Sequence, residues 1–432
     1  MNSNRIRVAA ALAAVFAAGA LAGADAAALA DATKDAKARS IELTTASAEA
    51  RAQAQECIRR IETFRGGPPA LEAAEKAIAA DPAFAVAYLL AGANAAPGAG
   101  KAFFEKADAL AAKASEGERR YIAAAALNRA QKRAEALEAL RALARDYPGD
   151  RMVQILLGQV ATAENKLDEA AAAYDRALAL DAATPRVHAL RANVHTLQNQ
   201  FPQARAEFQQ ALQRQVDGTA PGQIHLGLAL TYVYEGNVDQ ALTTMRGYLE
   251  RYRSVGGLPG LPEVFIWNAM ARMNLENGRL KEALADYEKG FESVPGSAAS
   301  ERDKKLWLGR LHHGRGRTLA KMGKPEEAWK EAEFIKKMID ENGEEGKEFL
   351  PSWHYLAGYI KLEAGDGPAA LEHLKQSNPN DPFHKMLLGR AYQATGDTAT
   401  ARKIYEEVVA STQVGLERAL AYPEAKKRLA SL

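Results

Sequence analysis

Residues able to do chemistry are plentiful in this chain of 432 residues, but few stand at spacings that chemistry needs. The stretch "APGAGKA" at 96–102 comes nearest to a phosphate cradle. Such a loop requires an initial glycine for its turn, a lysine on the phosphates and a Ser or Thr hydroxyl on magnesium. Ala95 stands at the place of the first glycine and Ala102 at that of the hydroxyl, so the magnesium ligand is missing. Among the eight histidines, His188 and His195 lie seven apart on one predicted helix and do not complete a metal shell by themselves. His312 and His313 are adjacent and leave a helix in different directions. There is no His-Glu-x-x-His, no cysteine cluster and no Gly-x-Ser-x-Gly. Cys57, the single cysteine, has no disulfide partner in the chain, and in "AQECIRRI" it reads as a small apolar helix residue. The many carboxylates are spaced as on solvated helix faces. These residues predict a chain without catalytic, metal or cofactor sites.

The elements that carry them are announced by composition. Lys+Arg number 56 against 54 Asp+Glu, a net charge of +2, which is not the surplus a nucleic-acid binder uses to neutralise phosphates. Aromatic residues make up only 7% while alanine abounds, the composition of close-packed helices. Residues 1–26 stand apart. Arg5 and Arg7 precede a 17-residue uncharged run at 8–24, and small-x-small triplets follow at 24–26 and 28–30. This is the layout of a signal peptide, with cleavage expected at 26 or at 30. The run is alanine-rich and shorter than the ~20 strongly apolar residues of a spanning helix. The expected product is soluble and exported, periplasmic or secreted, with no membrane span after cleavage.

One spacing recurs along the rest of the chain. A small residue is followed seven positions later by Gly or Asn, and twelve positions later by alanine. The copies are Gly158–Asn165–Ala170, Ala192–Asn199–Ala204, Ala229–Gly236–Ala241, Ala271–Gly278–Ala283, Gly316–Gly323–Ala328, Gly358–Gly365–Ala370 and Gly389–Gly396–Ala401. Gly and Asn tolerate the left-handed backbone that ends a helix. Pro202, Pro325 and Pro368 then fall in the first turn of a second helix, where a missing N–H costs nothing. The small residues predict a close crossing of two antiparallel helices. Tyr174, Phe208, Met245, Tyr287 and Tyr405, each four after the alanine, predict the packing around it.

This unit resembles the tetratricopeptide repeat (TPR) family, best in "WNAMARMNLENGRLKEALADYEKGFESVP" and over 388–405. Ala332, His373 and Asn274 depart from the family's aromatic positions and predict looser packing there. Weaker copies occur earlier, in "PALEAAEKAIAADP" and "AEALEALRALARDYP". The resemblance implies an all-α fold, a right-handed superhelical solenoid of antiparallel helix pairs. The expected layout is a signal peptide at 1–26, a flexible segment at 27–43 and degenerate repeats at 44–150. Clean repeats follow at 151–255, 264–345 and 351–412, and a polar capping helix at 413–432.

The resemblance also implies that the first helix of each repeat lines a concave groove. At the family's groove-facing offsets the early repeats place Ile155, Gln159, Ala189, Asn193, Leu226 and Tyr234, a mild set. The late repeats place Phe265, Asn268, Arg272, Arg310, His313, Arg317, Lys321, Tyr355, Tyr359, Phe383, Met386 and Arg390. Arginines suit carboxylates through charge-assisted hydrogen bonds, and aromatics suit buried anchors. The expected function is a non-enzymatic protein–protein interaction scaffold, its partner a protein or peptide presenting an acidic segment or a free C-terminal carboxylate. The alternative expectation is a periplasmic component of envelope or polysaccharide export.

Overall fold

The computed structural model describes residues 39–96, 98–216, 221–256 and 262–432. The expected signal peptide and residues 27–38 lie outside the described residues. Every regular element among those described is helical, with no strand, and none of these helices is long and apolar enough to cross a membrane. The fold is all-α, built from helix pairs.

The recurring spacing sets those pairs. Asn165, Asn199, Gly236, Gly278, Gly323, Gly365 and Gly396 all have φ between 57° and 88°. Each lies in a three-residue turn, after which the chain starts a new helix. The turn also recovers backbone hydrogen bonds that a helix end would lose: the Lys166 amide donates to the Ala161 carbonyl at 2.8 Å, and the Asp397 amide to the Tyr392 carbonyl at 3.0 Å. The second helix is then capped by side chains, as where Asp397 accepts from the Thr400 amide and Asp366 from the Ala369 amide.

All seven spacing alanines, from Ala170 to Ala401, are fully buried. A β-carbon at Gly158 would stand 2.5 Å from the Tyr174 ring, and one at Gly389 would stand 2.6 Å from the Tyr405 ring. Glycine is required there because an aromatic ring of the second helix lies directly on the backbone of the first. Tyr287 serves differently. Its ring presses on Gly314, in the helix of the next pair, and so ties neighbouring pairs together.

The chain forms two compact units. Among the described residues the first comprises those up to 198 together with 209–216. It contains the pairs Ala48–Glu62 with Pro68–Ala80, Ala85–Asn94 with Lys101–Leu110, Glu116–Arg129 with Arg133–Asp146, and Arg151–Ala163 with Leu167–Leu180, followed by Pro185–Leu197. The segment 39–43, part of the stretch expected to be flexible, is instead laid along this unit. The Ile41 amide donates to Asp150 at 3.0 Å, the Gly149 amide to the Arg39 carbonyl at 3.2 Å, and the Ser115 hydroxyl to the Glu42 carbonyl at 3.1 Å. A carboxylate and a helix-capping serine supply the partners that an extended backbone needs.

The second unit comprises 199–208 and 220–432. Its pairs are Gly222–Tyr234 with Val238–Ser254, Glu263–Glu276 with Leu280–Glu292, Glu301–Lys321 with Pro325–Glu341, Leu350–Glu363 with Gly367–Leu374, and Pro382–Ala394 with Thr398–Val409. A final helix, Leu416–Ser431, follows. The helix Phe201–Gln213 is the element at which the two units divide.

Candidate binding groove

In the second unit the first helices of successive pairs bring the expected residues together. Arg272, on Glu263–Glu276, lies with its guanidinium 4.7 Å from the centre of the Phe383 ring. Arg317, on Glu301–Lys321, donates to the hydroxyls of Tyr355 at 2.9 Å and Tyr287 at 3.1 Å. His313 packs against the Tyr355 ring and meets the Ser352 carbonyl at 3.1 Å. His384 stacks on the other part of that tyrosine, ring centres 4.0 Å apart. Arg272, His313, Arg317, Tyr355, Tyr359 and Phe383 are all buried, Asn268, Lys321 and Arg390 are half-buried, and Arg310 is exposed. The strip is therefore mostly an enclosed site rather than an open basic face.

Its charge is also more balanced than the basic residues alone suggest. Lys321 pairs with Glu276 at 2.8 Å, and Arg390 with Glu363 at 2.9 Å. Arg272 makes a two-pronged pair with Glu417, Nη1 to Oε1 at 3.1 Å and Nη2 to Oε2 at 2.9 Å. Glu417 does not belong to the repeats at all. It sits in the first turn of the final helix, 145 residues further along the chain. Burial works to raise its pKa, but Arg272 and Arg317 outweigh burial and hold it below the usual carboxylate value. Burial likewise works against the charge on Arg272, and Glu417 outweighs it. Burial, and then the charge of Arg317, pushes His313 well below the usual imidazole value. Burial brings His384 down to about 4. Both imidazoles are thus neutral beside the arginines.

The final helix packs on the last pair and on Gly222–Tyr234, and also touches Glu263–Glu276. Arg418, Ala419, Leu420, Ala421 and Tyr422 are consecutive and all buried. A helix lying on a surface buries one face only, so five consecutive buried residues mean that its first half is enclosed. Arg418 donates to the Tyr234 hydroxyl at 3.2 Å and to the Asn199 side-chain oxygen at 3.1 Å. Tyr422 packs edge-on against Tyr234 and Phe201. Further along, Arg428 reaches Gln393 at 3.0 Å. The segment expected as a polar cap at 413–432 packs on the last pair and also reaches the inner helices Gly222–Tyr234 and Glu263–Glu276; its polar residues concentrate in its second half while its first half is apolar around one buried arginine.

The family model described as tetratricopeptide repeat matches residues 123–186, 189–255 and 226–298, and a second model of the same description matches 386–411. This is a tetratricopeptide repeat protein. A TPR repeat-containing protein of Pseudomonas aeruginosa is 43% identical to it over 53 residues, which cover 12% of this chain and 50% of the relative. The chain thus spans about half the length of the curated relative it matches. Among solved structures, a tetratricopeptide repeat protein from Parabacteroides merdae is 18% identical, with 64% of this chain and 98% of that one covered at a TM-score of 0.47. YrrB, described as a TPR protein with an unusual peptide-binding site, is 19% identical, with 55% and 99% covered at a TM-score of 0.32.

In this TPR protein the groove positions read from sequence converge, but their counter-charges were not foreseen. Glu276 lies four after Arg272 and Glu363 four after Tyr359, so both carboxylates share the groove face by helix period. Attention to acids at that period would have found them. Nothing at short range announces Glu417 or His384's stacking on Tyr355. Outside the groove, the 96–102 motif is structural: Gly100 stands so near the Gly92 carbonyl that a β-carbon would lie 2.5 Å from its oxygen, and Lys101 begins a helix and pairs with Glu105. Cys57 is buried, which raises its thiol to about 12. Among the described residues no three metal-ligating side chains cluster.

Proposed function

We propose that this TPR protein is a non-enzymatic interaction scaffold whose second unit receives a segment of a partner protein, with acidic segments favoured. The observation that carries the reading is the pair of buried arginines, Arg272 and Arg317, set among Tyr287, Tyr355 and Phe383 on the inner helices. Desolvated guanidinium groups in aromatic surroundings are built to meet a carboxylate, and aromatic and arginine residues dominate binding energetics at interfaces. The exposed Arg310, over the Trp307 ring at 4.5 Å, extends positive charge to the rim and favours encounter with an anionic segment.

All four tryptophans, Trp267, Trp307, Trp329 and Trp353, lie in this unit, so their fluorescence reports on it. Glutamate-rich peptides titrated into the full chain should change that signal with an affinity that falls as salt rises. Arg310→Glu combined with Arg390→Gln should abolish the response, while Lys347→Glu, an exposed linker change, should leave it. Binding that survives the double change confines recognition to Arg272 and Arg317; no binding by any acidic peptide removes the acidic-segment reading. The layout of residues 1–26 supports export as the setting for this scaffold. Intact-mass measurement tests it: a chain starting at 27 or 31 in the envelope fraction supports export, and a full-length chain removes it.

A further inference from the structure

The final helix has features that a permanent core element does not need. Arg272 and Arg317 are both buried, at 7% and 4% exposure, and Arg317 has tyrosine hydroxyls and a backbone carbonyl as its hydrogen-bond partners. The carboxylate paired with Arg272 is Glu417, at 2.9 Å. Inside the groove, Lys321 engages Glu276 and Arg390 engages Glu363, both carboxylates of the repeats, whereas Arg272 is paired with Glu417 from the final helix; Asp381, at the start of Pro382–Ala394, adds a further repeat carboxylate near Arg272. Without the final helix the enclosed Arg272 loses the carboxylate it is paired with, and a charge so placed needs a partner.

That partner comes from the chain's last helical segment, tethered through 411–415, where Val414 is 43% exposed. The helix contains Pro423 in its interior, which removes one backbone donor and weakens it as an independent helix. Glu417 keeps 37% of its side chain exposed while the Arg272 side chain keeps 9%. Water, or another carboxylate, can therefore approach the pair from the Glu417 side.

We propose that the helix Leu416–Ser431 is an intramolecular stand-in for the partner: the groove takes a helical segment of another protein that presents a carboxylate to Arg272 and Arg317, and this helix leaves when that segment binds. The inference rests on the scaffold reading above and specifies it. The required ligand follows from the resident: an acidic residue in the first turn of a helix, a small apolar run after it as in "ALA" at 419–421, and an aromatic residue where Tyr422 meets Tyr234. Because the resident is tethered, its effective concentration is of millimolar order, and it screens the groove from weak ligands.

The test uses the full chain and a fluorescent synthetic peptide copying residues 414–432. Wild type should bind it weakly, since its own helix competes. The full chain carrying Glu417→Gln should bind it at least tenfold tighter, because the incoming peptide brings the carboxylate that the resident lacks. A peptide carrying the same Glu417→Gln change should lose that gain. Equal affinity of wild type and Glu417→Gln for the unmodified peptide overturns the proposal. Hydrogen exchange supplies an independent reading that does not depend on a variant's folding. In wild type saturated with the peptide, amides of 416–431 should exchange faster while the helices Glu263–Glu276 and Glu301–Lys321 stay protected. If 416–431 opens only together with those helices, the helix is a fixed part of the core and the proposal falls. Acidic peptides that bind wild type without speeding exchange at 416–431 would leave the scaffold reading standing and remove only the stand-in.

Discussion

The two units manage interior charge in different ways. In the first, Glu62 on Ala48–Glu62 takes Arg151 at 2.6 Å, and Asp181 takes the other side of the same guanidinium at 2.6 Å. All three groups belong to the repeat helices or the turns between them, so folding the array balances this guanidinium, and Glu62 acts on the buried Arg186 as well. In the second unit, Arg272 is matched by Glu417, contributed from beyond the repeats. An array that neutralises itself has no electrostatic need for a ligand. One whose counter-charge arrives on a terminal helix has a site that something else could fill. The location of the counter-charge, more than the number of arginines, marks the second unit as the place to look for a partner.

The largest effects should come from tyrosines that share a repeat position but not a role. Tyr174→Ala in the first unit and Tyr287→Ala in the second each empty a fully packed site, at about 4 kcal/mol, the usual range for a large aromatic. The phenylalanine variants separate the units. Tyr174→Phe removes a hydroxyl that meets Thr162, worth about 1 kcal/mol. Tyr287→Phe removes an acceptor from the buried Arg317, worth about 2 kcal/mol since the bond is to a charge. Denaturation followed by exchange within each unit measures both. Equal losses would mean that Arg317 is no more dependent on its hydroxyl than a neutral donor is.

The ion pairs come next. Glu417→Gln should destabilise the second unit by about 2–3 kcal/mol, because breaking a buried pair leaves a charge behind. Glu62→Gln should cost about 1 kcal/mol, since Arg151 keeps Asp181 and reaches water. Reversal of that order would remove the contrast drawn between the units.

Mild acid should weaken the second unit before the first. His384 and His225, both in the second unit, are lowered to about 4 chiefly by burial, and His313 is lowered too. Their unfolded forms take up protons near pH 6.5 while the folded forms do not. Stability from these groups is complete above about pH 6.5 and lost as pH falls toward 4. At pH 5.5 linkage gives a loss of about 1 kcal/mol for each of His384 and His225. The depressed pKa of Glu417 adds a loss at still lower pH. Among groups packed in the same unit, Asp286 and Asp381 are raised by burial and oppose this as the carboxylates begin to protonate. In the first unit burial raises Glu62 and Asp150, whose contribution is fullest at low pH and is lost as pH rises through their folded values. Protection factors, corrected for the intrinsic exchange rate at each pH, should therefore fall first in the second unit between pH 7 and 5.5; a parallel fall in both would refute the assignment.

Legibility in the sequence followed the range of the interaction. The helix pairs could be read because the turn and crossing are set by neighbours within twelve residues, and the left-handed turns at Asn165 to Gly396 fell where Gly and Asn occur. The convergence of Arg272, Arg317, Tyr355 and Phe383 could be read because a repeated offset on successive helices makes one surface. The pair Arg272–Glu417 spans 145 residues and follows no period, so nothing in the spacing distinguished Glu417 from a solvated glutamate. The final helix misled for a related reason. "YPEAKKRLASL" is polar, and the buried run Arg418–Tyr422 begins before it, around an arginine that donates to the second unit's Tyr234 and Asn199.

The smallest expected change in stability is also the one that most sharpens the contrast. Arg310 is the exposed member of the basic strip, its guanidinium resting on Trp307. A cation on an aromatic face at the surface is worth about 0.5–1 kcal/mol, and most of that stacking depends on the planar charged group. Arg310→Gln should therefore shift unfolding by no more than about 1 kcal/mol. Its effect on binding should exceed its effect on folding. Arg272 and Arg317 are enclosed, and Arg272 is compensated by Glu417, so they act on a ligand only after contact. Arg310 projects its field into solvent before contact, and a field of that kind changes the rate of encounter and its salt dependence rather than the lifetime of the complex. Stopped-flow mixing with a glutamate-rich peptide, read on tryptophan fluorescence, should show slower association for Arg310→Gln at low salt. The two curves should converge as salt approaches the concentration at which the screening length falls to a few ångströms, on the order of 1 M. Dissociation should be unchanged. A variant that associates like wild type at low salt would show that the rim contributes nothing, and would confine recognition to the enclosed arginines.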